Sequence, residues 1–149
     1  MDLGLARQAV GWIRPLEALA DEHAPAKLRL QVRWAIGRIF LEAGSPEGAA
    51  EALEEVCDAF THQGLMRDAA LSGLDLALAY LRARRHKDVR QLAQHLYPVF
   101  VHEQIPNEAS AALLLFTKAT DHYLVVPEQL VRTAREKLLA ECRRRVALR

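Results

Sequence analysis

Aromatic residues make up only 6% of this sequence, and β-branched residues are few beside the abundance of alanine and leucine. That poverty leaves little from which to build a sheet and favours helix. Cysteine occurs twice, at Cys57 and Cys142, far apart and without metal-ligand spacing. The expectation is two buried, reduced thiols in a cytoplasmic protein rather than a disulfide framework or zinc site. Serine stands only at Ser45, Ser72 and Ser110, never in the setting of a nucleophile elbow. HExxH, CxxC, clustered carboxylates and a Gly-rich phosphate loop are all missing, so no catalytic residue, metal or cofactor is expected. The near-cancelling charge, +1 in total, argues against a general attraction to nucleic acid or anionic lipid. The N-terminus lacks the basic start, apolar block and cleavage site of a signal peptide. No uncharged apolar run approaches the ~20 residues that span a bilayer, and the expected location is the cytoplasm. Arginine far exceeds lysine, a bias correlated with GC-rich bacterial genomes.

What is present is apolar and helical. The chain has 149 residues, 51% of them apolar, enough for one domain with a real core. Its most apolar stretch, Ala69–Leu81, reads AALSGLDLALAYL and is apolar all round. A helix of that kind lies in the middle of a helical protein, covered on several sides. Punctuation divides the chain into about seven helices. The first runs from near Asp2 to Asp21, with Gly11 and Pro15 expected to kink or split it. The second spans about Ala26–Ala43 and stops at Gly44, which accepts a left-handed conformation. Ser45 is placed to cap the third, with Pro46 at its first position, and Gly64 ends it. The fourth spans about Met66–Arg84. The fifth, His86–Glu103, contains Pro98 as an expected kink. Pro106 opens a sixth that reaches about Val125, and Pro127 opens a seventh that ends in Arg143, Arg144 and Arg145. Short connections make neighbouring helices antiparallel.

A 40-residue offset lays Ala59–Ala70 over Val99–Ser110: Phe60 meets Phe100, His62 meets His102, and Leu65 meets Ile105. The same step pairs Ile36, Leu76 and Phe116, then Trp34, Leu74 and Leu114, then Ile39, Ala79 and Ala119. A match that crosses a helix boundary in step points to a structural repeat.

On these residues the chain resembles a tetratricopeptide-type helical repeat (TPR-like) of the longer variety. In one unit Ile36, Gly37, Phe40, Gly44, Ala49, Leu53 and Val56 fit the family pattern. In the next, Leu76, Ala77, Tyr80, Val89, Ala93 and Leu96 do, with Arg84 replacing the glycine. Thr117, Thr120 and Gln129 depart from it in the third. The resemblance implies an all-α fold of antiparallel helical hairpins stacked as a short right-handed α-solenoid. It divides residues 1–149 into a capping helix at 1–25 and three units at 26–64, 66–104 and 106–146. It also implies a concave inner face that holds a partner. That face would be lined by Gln31, Trp34, Arg38 and Leu41, by Leu71, Leu74, Leu78, Leu81 and Arg82, and by Leu114, Lys118, Asp121 and His122.

A groove of this chemistry suits an amphipathic or acidic helix or peptide, from another protein or another segment of a larger one. A homodimer is compatible with it; membrane binding is not expected. The competing expectation is that the chain fills its own groove, for example with the N-terminal helix through Val10, Trp12 and Ile13. The leading expectation is thus a non-enzymatic interaction scaffold. The alternative is a ligand-sensing or regulatory domain, similar to the repeat segments of bacterial maltose-regulator-type activators.

Other constellations carry less. Arg90 and His95 have the Arg-x4-His spacing of some helical-bundle ribonucleases, but residues five apart on a helix lie on different faces. His62 is expected as a helix-end histidine. The arginines near residues 82–87 and along 132–145 read as solvated faces. Asp75 interrupts the apolar helix: either it points to the one solvated edge, or it pairs inside with an arginine such as Arg33 or Arg38, since a buried carboxylate without a partner is costly.

Overall fold

The computed structural model describes residues 8–102 and 128–147. Among them lie six helices and no strand: α1 (Ile13–His23), α2 (Ala26–Ala43), α3 (Pro46–His62), α4 (Met66–Arg82), α5 (His86–His102) and α6 (Glu128–Ala147). The expected helix at 106–125 lies outside the described residues. So do Leu114, Phe116, Thr117, Lys118, Ala119, Thr120, Asp121 and His122, and with them the third member of each 40-residue column.

The expected first helix is split, and the break falls at Gly11 and Trp12. Their N–H groups close a turn onto Gln8 and Ala9 at 3.1 and 3.0 Å. Pro15 then sits in the first turn of α1, where a missing N–H costs no helical bond. Gly44 ends α2 as anticipated, and Pro46 opens α3. Ser45 holds the capping position, yet its side chain makes no capping hydrogen bond. Helix α5 continues through Pro98.

The cadence of the central helices is regular. α3, α4 and α5 are 17 residues each and begin at Pro46, Met66 and His86. The turns before them are built alike. Ser45, Leu65 and Arg85 each donate an N–H to the carbonyl of Phe40, Phe60 and Tyr80, at 2.9, 2.9 and 2.8 Å. The residue before each donor adopts positive φ: +79° at Gly44, +69° at Gly64 and +58° at Arg84. This is the 6→1 closure that satisfies a helix's last carbonyls through one left-handed residue. Glycine adopts that conformation freely; Arg84 does so at a cost of about 1 kcal/mol.

α4 is the centre of the packing, and every residue from Ala69 to Tyr80 is buried. α3 and α5 cover one side of it, α2 and α6 another. Two glycines set the spacing. A Cβ on Gly73 would stand 2.7 Å from Leu96 Cδ1, and one on Gly37 2.6 Å from Leu53 Cγ. Leu53, Val56, Phe60, Val89, Ala93 and Leu96 complete the alkyl and aromatic core.

Candidate functional site

Leu71, Asp75, Leu78 and Arg82 recur at intervals of four, three and four along α4, which places them on one face. This is the face expected to line a groove, and the structure corrects what covers it. Leu71, Leu74 and Leu78 are buried within the chain's own core, so they do not floor an open surface. The cover is α6, whose Val131, Ala134 and Leu138 join the same cluster. The N-terminal helix was the alternative cover, but Trp12 is 67% exposed and Val10 is exposed as well. Only Ile13 of that trio is buried, and α1 packs against α2.

Charge clasps α6 in place. The Asp75 side chain is 4% exposed; it accepts hydrogen bonds from two residues and has a third cation nearby. Arg135 on α6 engages both carboxylate oxygens, Nε on Oδ1 and an Nη on Oδ2 at 3.2 Å. The Trp34 indole N–H donates to Oδ2 at 2.9 Å. Arg38 stands at 3.9 Å from the same oxygen, and its side chain is 52% exposed. The expectation that Asp75 pairs with an arginine therefore holds: Arg38 takes part at the longer distance, and Arg135 is the nearer partner. Arg33 instead pairs with Glu17 and Glu55, at 3.3 and 2.7 Å. A planar guanidinium meeting a carboxylate side-on gives two parallel bonds, the geometry that best offsets the desolvation of a buried charge.

A second clasp lies at the start of α6. Arg82 donates to Glu128 Oε1 from Nη2 at 2.9 Å and from Nε at 3.3 Å. Its other amino group reaches the Leu41 carbonyl at the end of α2, at 2.7 Å. Arg132 donates to the same Glu128 oxygen at 2.9 Å. Hydrogen bonding from Arg82, opposed by partial burial, holds the Glu128 carboxyl below its usual range. Its place in the first turn of α6 adds the favour of the helix dipole.

Between α2, α4 and α6 remains a cavity of about 110 Å³. Arg38, Arg82, Arg132 and Arg135 face Glu42, Asp75 and Glu136 across it, with Leu41 and Leu78 as the apolar walls. Trp34 is half-buried; its ring meets Phe60 edge-on at 5.7 Å while its N–H holds Asp75. Of the expected lining residues, Trp34, Arg38, Leu78 and Arg82 therefore converge. Leu114, Lys118 and His122 lie outside the described residues. Arg132, Arg135 and Glu128 were missed, because the arginines of the last helix read as a solvated face. The signal was present: Val131, Ala134 and Leu138 recur at three and four residues, and Arg135 adjoins that stripe.

The opposite side of α4 carries an open groove of about 410 Å³ between α3 and α5. There the Tyr80 hydroxyl donates to Glu54 at 2.8 Å, and Arg85 lies over the Tyr80 ring at 4.5 Å. Burial and the bond to Glu54 push the Tyr80 hydroxyl's pKa up. At the base of the groove, burial above all raises the Cys57 thiol to about 11. A thiol so placed stays protonated at neutral pH and is a poor nucleophile. His95 lines the groove and is exposed. His62 is exposed and contacts the Asp58 carbonyl at 2.8 Å. Among the described residues no disulfide is present, no group of three potential ligands is placed to hold a metal ion, and no helix is long and apolar enough to cross a membrane. Comparison with protein-family models, curated proteins and solved structures returns no match, so the reading of the site rests on its geometry.

Proposed function

We propose that this chain is a non-enzymatic protein-interaction scaffold, a TPR-like stack of helical hairpins whose inner face receives an amphipathic helix. One observation carries the reading: the α2–α4 face already clasps such a helix. It does so with an apolar strip at Leu71 and Leu78, a carboxylate at Asp75 that takes a guanidinium, and a guanidinium at Arg82 that takes a carboxylate. This is recognition of a helix lying in a groove, with apolar contacts for affinity and placed charges for register. The mutual pairing of the buried charges and the protonated state of Cys57 support a binding role over a chemical one.

The test is capture of a partner by the full chain, followed by amide exchange on the complex. The expected partner slows exchange along α2 and α4 and is lost from a chain carrying both Asp75→Asn and Arg82→Gln. Retention by that variant, or protection confined to another surface, rejects the reading.

A second reading, a ligand-sensing or regulatory domain, is favoured by the volume of the groove beside Tyr80, about 410 Å³, which is within the size of small-molecule pockets. A small molecule that binds there raises the melting temperature and perturbs Tyr80 rather than α6.

A further inference from the structure

We infer that α6 is a stand-in for a partner helix, holding the receiving face closed until a competitor with the same spaced groups displaces it. The inference rests on the scaffold reading above and adds to it the chemistry of the partner and the means of control. The partner is an amphipathic helix with an acidic residue early, small or apolar side chains three, six and ten positions later, and an arginine seven positions later. Those are the intervals of Glu128, Val131, Ala134, Leu138 and Arg135.

Three observations separate α6 from the permanent core. Helix α3 buries seven residues, from Ala49 to Phe60, whereas α6 buries Val131, Ala134 and Leu138 and leaves Leu130, Leu139 and Cys142 half-buried against the core. What α6 lacks in alkyl contact it replaces with the Arg135–Asp75 and Glu128–Arg82 pairs, which give register and selectivity more than net stability. The cavity of about 110 Å³ left beside those pairs shows that α6 does not close the face to core density. Its advantage over a free helix is that it belongs to the same chain as the face, so it competes at the effective concentration of an intramolecular ligand. A partner helix that presents the same acid and arginine meets Asp75 and Arg82 equally well. Once it supplies further apolar contacts, or α6 is weakened, the balance tips.

The experiment uses the full chain and a fluorescent synthetic peptide of residues 127–147, with binding read by anisotropy. The wild-type chain binds the peptide weakly, because its own α6 occupies the face. A chain carrying Arg135→Ala, whose helix has lost its hold on Asp75, binds the unaltered peptide about tenfold more tightly, since its receptive state is more populated. A peptide that itself carries Arg135→Ala does not show this gain. Glu128→Gln in the chain loosens the second, more exposed clasp and gives a smaller gain in the same direction; it serves as the working variant if Arg135→Ala unfolds the protein. Equal binding by wild-type and both altered chains, or equal binding of a scrambled peptide, overturns the inference. The scaffold reading survives that result if the captured partner still protects α2 and α4, and falls separately if it does not.

Discussion

The two sides of α4 are both buried and are built on different principles. Toward α3 and α5 the inner contacts are alkyl and aromatic, Gly73 lets Leu96 approach closely, and the polar contacts of Tyr80 with Glu54 and Arg85 line an open groove at the rim. Toward α6 a buried carboxylate and two arginines take the place of close packing, and a cavity remains between them. The first side is stabilised by area removed from water, which is non-directional and tolerant of partner identity. The second depends on paired charges whose desolvation nearly offsets their attraction, so it discriminates between partners more than it stabilises. On the proposed reading, one helix carries a permanent interface on one side and a selective one on the other.

The largest effect expected is on the permanent side. Phe60→Ala removes a fully buried ring from the contact with Trp34. It should cost about 3–5 kcal/mol of global stability, measured by denaturant unfolding. Asp75→Asn comes next, at about 3 kcal/mol, because it leaves Arg135 without its counter-charge. Its signature is local: amide exchange quickens along α6 while α3 stays protected. Equal loss in α3 would break the proposed distinction between the two sides. Gly73→Ala places a methyl group against Leu96 and should destabilise by about 2 kcal/mol through overpacking, again as a global shift in the melt.

Smaller effects sharpen the picture. Arg84→Gly relieves a left-handed arginine, at the expense of a more flexible unfolded chain. A net gain of about 0.5 kcal/mol is expected, visible as a higher denaturation midpoint. Acid acts through Glu128, whose pKa is depressed in the folded chain. The unfolded chain therefore binds its proton first, and the stabilisation is complete above the ordinary value of 4.5. It is lost as pH falls through the lower folded value. Exchange along α6 should quicken over that window, and Glu128→Gln should remove the dependence.

Much of the fold was legible in the residues. Ala69–Leu81 was marked as central by being apolar all round, and the burial of Ala69–Tyr80 agrees. Gly44, Pro46 and Gly64 punctuated helices where the backbone requires it. The site was legible in part. The resemblance to a helical repeat implies a common face for Trp34, Arg38, Leu78 and Arg82, and they do converge. Asp75 was rightly expected to need a cation, yet Arg135 was out of reach of that argument. It stands sixty residues away on a helix so polar that its three buried side chains do not stand out.

Local chemistry determined the helices, their ends and the position of the apolar one, because propensity, glycine conformation and burial act over a few residues. The tertiary structure alone decided which helix packs on the α2–α4 face and which arginine meets Asp75. Many arginines are chemically equivalent candidates for one carboxylate, and only the packing of α6 on α4 brings a particular one within bonding distance.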